Sequence, residues 1–208
     1  IGFHTFMALG PALKMSALMP KGSEALPVFK VLYRNSSRIQ EFGGRESETL
    51  HALSASNPVN APTAASLRAA ILAQETNHAE QILAALVAEN RQSALDALIP
   101  SIEDSPEVHR TVLPYRAWDM QEIVGTEHAF TLLRQSLRYC VRLEPHRRAD
   151  WDEPGKLLVS LLDEFHLEGK QPGTKVAEDA FVDHLSETFA TASPIDAARA
   201  AASALAEE

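Results

Sequence analysis

Three histidines stand where imidazole rings could hold a metal ion: His4, His78 and His128. Each falls on a helix side that carries apolar residues at about 100° per residue, so we expect all three rings to face inward. Burying several imidazoles costs desolvation energy unless each ring finds a partner, and one shared metal ion satisfies them together. We therefore predict that His4, His128 and His78 bind one ion. Ligand atoms of a common ion lie no more than about 4 Å apart.

Carboxylates placed near these histidines suggest a second kind of metal centre. Glu75 and His78 have the Glu-x-x-His spacing that puts both side chains on one helix face in di-iron bundles, and Glu48 and His51 repeat it in a short segment between loops. A di-iron site needs two more inward carboxylates from further long helices. We find no Glu inside a clearly apolar stripe, so the histidine centre is favoured over the di-iron centre.

A substrate pocket is predicted beside the histidines. Its expected lining residues are Met7, Met15, Trp118 and Tyr139, whose apolar and aromatic surfaces suit an apolar or aromatic small molecule. Packing between helices is the alternative role for these side chains. The sequence holds no Gly-x-Ser-x-Gly elbow, phosphate-binding glycine loop or Cys-x-x-Cys pair. No general base or nucleophile is therefore assigned, and Cys140 is interpreted as a core residue.

The elements that must position these residues are helices, because helical periodicity dominates and strand-like alternation is nearly absent. The fold class is predicted as all-α: a multi-helix array of packed antiparallel helix pairs with no significant sheet. We expect Thr63 to be the N-cap of a helix reaching Asn90, and the Gly43-Gly44 pair to end an earlier one. Arg134, Arg138 and Arg142 form a strip predicted to face water. The other predicted helices span Phe3–Met19, Ser23–Phe42, Ser93–Ile102, Glu127–Arg142, Lys156–His166, Lys175–Ala192 and Pro194–Glu208, and one more begins with Pro106 at its first helical position.

Length and charge limit the classes of function. The chain has 208 residues, and we expect residues 1–208 to form a single helical domain. With 19 Lys and Arg against 28 Asp and Glu, the net charge is −9, which disfavours nucleic acids and anionic membranes. One cysteine suits a reducing compartment, so a cytoplasmic location is expected. The sequence begins with Ile1 and has no stop signal after its last helix, so we expect a segment of a longer protein.

Three stretches carry a resemblance to a known family: His128-Ala-Phe-Thr131, His4 to Lys14, and Ala25 to Gln40. Here the chain resembles the questin oxidase-like family, over about a fifth of its length. The resemblance implies an α-helical oxidoreductase that uses molecular oxygen on aromatic polyketides, with a metal held mainly by histidines. His4 and His128 are carried over by motif. The chain departs from the family's pattern at its Asn-His motif, which is expected early: the pair here, Asn77-His78, lies well into the chain and no histidine directly follows it. This implies an incomplete ligand set, so that further ligands lie outside this segment or the site has become a binding pocket.

Two functions follow from these observations. The first is a metal-dependent oxidoreductase of the non-haem iron oxygenase type, with iron as the cofactor and an apolar or aromatic small molecule as substrate. The second is a non-catalytic α-helical scaffold or interaction protein whose histidines are merely packed. Besides the substrate, the expected partners are a second copy of the chain, in a homo-oligomer, or a missing segment of the longer protein. The sequence predicts no nucleic-acid and no membrane partner.

Overall fold

The structure is a computed structural model that describes residues 2–43, 49–53, 59, 61–170 and 173–207. Within these ranges it is helical and contains no strand, which confirms the all-α prediction. Short 3-10 turns lie at Thr126–His128, Glu144–His146 and Ala149–Trp151. In chain order, the helices are α1 Gly2–Ser16, α2 Leu26–Phe42, α3 Ala64–Leu72, α4 Thr76–Glu89, α5 Arg91–Asp96, α6 Ile99–Glu103, α7 Val108–Val124, α8 Ala129–Leu143, α9 Asp152–Glu164, α10 Asp179–Thr191 and α11 Pro194–Ala206.

These helices form two compact units. The first unit runs to Ile102 and takes in Glu107 to Arg147, and the second consists of Glu103–Pro106 with the chain from Arg148 onward. The single-domain expectation stays a prediction, because two compact units can still belong to one cooperatively folding domain. No helix within the described ranges combines the length and apolar character needed to cross a membrane.

The core of the first unit lies where α3, α4, α5, α7 and α8 meet. Leu67, Ile71, Ile82, Leu133 and Leu137 are fully buried there, each on the apolar face that the helical spacing of the sequence defines. Burial of a Leu or Ile side chain contributes about 1.5–3 kcal/mol relative to exposure. Cys140 belongs to the same cluster, and burial raises the pKa of its thiol to about 12, so it packs as a small apolar side chain. α1 and α2 form a further packed pair.

The long helix predicted from Thr63 to Asn90 is wrong in one respect: the structure divides it into α3 and α4. Thr63 caps α3 as expected, since its hydroxyl accepts a hydrogen bond from the Ser66 amide at 3.0 Å and the Ser66 hydroxyl accepts one from the Thr63 amide at 3.0 Å. α3 ends at Leu72, and Gln74 adopts a positive φ of 60°. A left-handed residue cannot continue an α-helix, so the chain turns before α4 begins.

The strip of arginines on α8 does not all face water. Arg134 is buried and makes a two-pronged ion pair with Glu80 of α4, at 2.7 Å from Nε and 2.8 Å from Nη2. Arg138 adds a third contact to the same carboxylate at 3.0 Å, while Arg142 is exposed as predicted. Glu80 is only 2% exposed, so a carboxylate does lie inside an apolar helix face. It is paired with arginine, and a buried charge requires such a partner.

The second unit contains α9, α10 and α11. α10 and α11 pack together, and α11 also contacts α9, where Arg199 and Glu164 form an ion pair. Gly155 of α9 is buried against Glu103, and a Cβ at this position would lie 2.2 Å from the Glu103 carbonyl oxygen. The backbone of α9 therefore approaches Glu103 as closely as a glycine allows.

Candidate functional site

Two imidazole rings face each other in the first unit. Nε2 of His4, on α1, lies 3.2 Å from Nε2 of His109, on α7, and the ring planes are nearly perpendicular, at 87°. His4 lies at the surface and His109 is partly buried. Two nitrogens bound to one tetrahedral ion at about 2.0–2.1 Å stand about 3.3 Å apart. The spacing of the pair therefore suits two ligands of one ion.

Glu107 orients His109 from behind. One carboxylate oxygen, Oε1, lies 2.6 Å from Nδ1 of His109. The other, Oε2, accepts the backbone N–H groups of His109 at 2.9 Å and Arg110 at 3.2 Å, so Glu107 is the N-cap of α7. Burial alone would raise the pKa of Glu107, but the hydrogen bonds from His109 and the two amides lower it below its ordinary value. An ionised Glu107 requires the proton of neutral His109 on Nδ1.

That tautomer determines what His109 presents to His4. With the proton on Nδ1, the Nε2 lone pair of His109 is free to accept a proton or to bind a metal ion. The pKa of His4 is lowered from its ordinary value, first by burial and then by the neighbouring His109, so its neutral form is favoured. Neutral imidazole is the form that binds metals. A carboxylate behind a histidine ligand is also the common outer-shell arrangement of metal sites.

Two aromatic rings border the pair. Tyr139 of α8 donates its hydroxyl to Glu107 Oε2 at 3.2 Å, and its ring centre lies 5.3 Å from that of His109. Phe3 packs edge-on against Tyr139 at 5.0 Å. Burial, with Glu107 next, raises the pKa of Tyr139 to about 12, so the phenol keeps its proton near neutral pH. Tyr139 thus supports Glu107 and offers an aromatic surface beside the imidazoles.

Packing of α1 on α7 places His4 opposite His109. The two helices run parallel in register, since Lys14 Nζ lies 2.5 Å from Asp119 Oδ1, ten residues further along each helix. Gly10 is buried at this contact, and a Cβ there would approach Asp119 Oδ2 to 3.3 Å. A small residue lets two helices come close. Ten residues correspond to about 15 Å of helix, so the Lys14–Asp119 ion pair joins α1 to α7 about 15 Å from the two imidazoles.

Arg110 anchors the beginning of α7 beneath the site. It is fully buried, donates to the carbonyls of Ser101 at 2.9 Å and Cys140 at 3.1 Å, and pairs with Glu144. These contacts join α7 to α6 and α8. Because His109 and Tyr139 come from α7 and α8, the Arg110 network sets the distance between them.

The three histidines predicted as one metal centre do not come together. No group of three or more His, Cys, Asp or Glu side chains arranged to hold a metal ion is present in the part of the chain that the structure describes. His78 is exposed in the first turn of α4, which begins at Thr76. His128 ends a 3-10 turn before α8, and its side chain is 54% exposed, with Nε2 3.9 Å from Glu127 Oε1.

The Glu-x-x-His pairs and pocket residues have separate positions. Glu75 and His78 both lie at the surface, while Glu48 falls outside the described residues. Of the predicted pocket, Tyr139 lies beside the imidazole pair. The other three are on α1 and α7: Met7 is half-buried, Met15 is exposed, and Trp118 lies under the Arg91 guanidinium at 4.9 Å from its ring centre.

His109 is the site residue that the sequence interpretation missed. Its neighbours along the helix are mixed, so periodicity gives no sign of it. A local signal was present: Glu107 precedes it by two residues just before α7, and an acidic N-cap can reach side chains of the first turn. Because the sequence pattern predicts Pro106 at the first helical position, it does not identify Glu107 as the N-cap.

Comparison of the chain with protein-family models, with curated proteins and with solved structures finds no match. The resemblance to the questin oxidase-like family therefore stays a prediction.

Proposed function

We propose that the protein is a metal-dependent oxidoreductase of the non-haem iron oxygenase type, or a part of one, acting on an apolar or aromatic small molecule. The observation that carries this proposal is the His4–His109 pair, with Nε2 atoms 3.2 Å apart and Glu107 behind His109. Imidazole ligands suit iron, zinc, copper and nickel alike. Iron and oxygen chemistry enter through the family resemblance.

The residues present fit two positions of a metal coordination shell. His4 and His109 would bind the ion through Nε2, and Glu107 would hold His109 in the tautomer that leaves Nε2 free. Bound iron would supply the activation of molecular oxygen. Tyr139 and Phe3 would orient an aromatic substrate by ring packing, and the Tyr139 hydroxyl would keep Glu107 in place through its hydrogen bond.

A non-catalytic helical interaction protein is the second candidate. The observation that favours it is that, among the described residues, two histidines and no third ligand meet at the pair. In this case His4 and His109 share a proton and simply join α1 to α7. Metal binding and oxygen consumption separate the two candidates.

The test is metal content after anaerobic reconstitution with Fe(II), measured by elemental analysis on the native protein and on single variants. We expect about one iron per chain in the native protein. His4→Ala and His109→Ala should each lose most of the iron, since one imidazole alone binds weakly. His128→Ala is the matched control, because it removes an exposed imidazole away from the pair, and it should retain the metal.

Oxygen uptake supplies the functional readout. The iron-loaded native protein should consume oxygen in the presence of hydroxylated polycyclic aromatics, and the His109→Ala variant should not. Native protein that takes up no iron would contradict the proposal and favour the interaction protein. Iron retained equally by both alanine variants at the pair would also contradict it.

A further inference from the structure

Two surface helices carry matching patterns of opposite charge. α2, in the first unit, shows large apolar side chains to solvent: Leu26 is 44%, Phe29 is 62% and Tyr33 is 76% exposed. Within α2, which is described throughout, Pro27 is the one buried residue. Lys30 and Arg34 are exposed one turn apart, directly beside this apolar stripe.

α10, in the second unit, also has an exposed apolar stripe flanked by charged residues, but the charge is negative. None of its residues, all of which are described, is buried. Val182 is 48% and Phe189 is 50% exposed, and they lie on one side of the helix. Asp179 and Asp183 are exposed one turn apart on the flank of this stripe. The spacing of four residues equals that of Lys30 and Arg34.

We propose that α10 of one copy of this chain docks on α2 of a second copy, so that the protein associates with itself. When two helices pack antiparallel with their apolar stripes in contact, the flank that carries Lys30 and Arg34 on α2 lies opposite the flank that carries Asp179 and Asp183 on α10. The stripe of Leu26, Phe29 and Tyr33, which spans seven residues as Val182 to Phe189 does, then covers these two side chains, and the cations of α2 face the carboxylates of α10. Two large aromatic side chains so exposed on one helix are typical of an interface.

Charge explains why a second copy is the occupant. The chain as a whole has a net charge of −9, so two copies repel each other unless a positive patch meets a negative one. Among the described residues, no ion pair is found for Lys30, Arg34, Asp179 or Asp183. Each flank is therefore available to the other, and complementary flanks select partner and orientation.

The experiment is sedimentation velocity of the full chain over a range of concentrations. We expect a species heavier than one chain at low salt, and its loss at about 1 M salt, where the Debye length falls to about 3 Å. Lys30→Glu with Arg34→Glu should abolish association, and so should Asp179→Lys with Asp183→Lys. All four positions are exposed, and circular dichroism checks that each variant keeps its helices.

Mixing the two double variants is the decisive control. Each one alone carries flanks of a single charge, but an equimolar mixture restores opposite charges across the interface and should form a mixed assembly. A single-chain mass for the native protein at every concentration would overturn the proposal. Association that survives in both double variants, or a mixture that stays monomeric, would overturn it as well.

Discussion

The chemistry of the candidate site depends on where one proton lies. Glu107 accepts two backbone amides and the Tyr139 hydroxyl, and these donors keep it ionised. An ionised Glu107 holds the proton of His109 on Nδ1, at 2.6 Å, and so frees Nε2 toward His4. Replacing Glu107 would therefore change the tautomer and orientation of the His109 ring while leaving His109 itself in the sequence. Glu107 is thus a positioning residue.

At the residue scale, we predict that the His4 ring titrates below its ordinary value of 6.5, because burial and then His109 disfavour its charged form. The unfolded chain then binds more protons than the folded one in the window just below that value. The contribution of His4 to the free energy of unfolding is therefore fully present above the ordinary pKa, and it is lost as the pH falls through the pKa of the folded state. Its titration can be followed by NMR of the ring protons.

The matched variant for this measurement is His109→Ala. Its His4 midpoint should move up toward the ordinary value, because the neighbouring imidazole that disfavours the charged form and covers part of the ring is gone. A midpoint at or above 6.5 in the native protein would contradict the arrangement of the pair.

Of the two imidazoles, the sequence patterns predict His4 as a ligand but not His109. His4 could be predicted because a histidine on an apolar helix face is visible as periodicity. His109 could not be predicted in this way, because its role depends on α1 lying parallel to α7, a contact between residues 105 apart in the chain. Tyr139 was assigned to a pocket, and its contact with Glu107 gives it a hydrogen-bonding role as well.

At the element scale, α4 and α8 are joined by a buried ion pair. Arg134 contacts both carboxylate oxygens of Glu80 and also donates to the His51 carbonyl at 2.7 Å. One guanidinium thus connects α8, α4 and the segment at residue 51. Removing one partner leaves a buried charge without compensation, whereas removing both leaves apolar surface that can repack.

We predict that Glu80→Ala lowers the free energy of unfolding by about 3–5 kcal/mol, measured by urea denaturation. The double change Glu80→Met with Arg134→Met should recover most of this loss. Glu153→Ala is the surface control, since its ion pair with Lys156 is largely exposed, and it should leave the urea midpoint almost unchanged. A Glu80→Ala protein as stable as that control would contradict the structural role of the pair.

The helices themselves were largely predictable, and their breaks were less so. Periodicity gave α1, α2, α8 and α11 close to their observed ends, and the Thr63 cap is confirmed. The turn at Gln74 was missed, because neither Gly nor Pro marks it and a positive φ at a glutamine is set by packing. His78 and His128 are both exposed, near the starts of α4 and α8, and the described residues form no group of three metal-ligating side chains.

At the scale of the whole molecule, charge is unevenly distributed. The overall balance is −9, yet α2 presents cations beside exposed aromatic rings while α10 presents carboxylates. Net charge read from composition argues against nucleic acids and anionic membranes, but it hides such local patches. The division into two units was not predicted, although the chain passes between them at Arg147 and Arg148, within the charged and proline-bearing stretch from Pro145 to Gly155.

X-ray absorption spectroscopy of the iron-loaded protein shows whether His4 and His109 bind the metal. We expect two imidazole nitrogens at about 2.1 Å from the iron. His4→Ala and His109→Ala should each lose most of the iron, and the iron that remains should have one imidazole fewer, whereas His128→Ala should leave both the iron content and the spectrum unchanged. A native spectrum without imidazole scattering, or one that is the same in the native protein and both alanine variants at the pair, would contradict metal binding by His4 and His109.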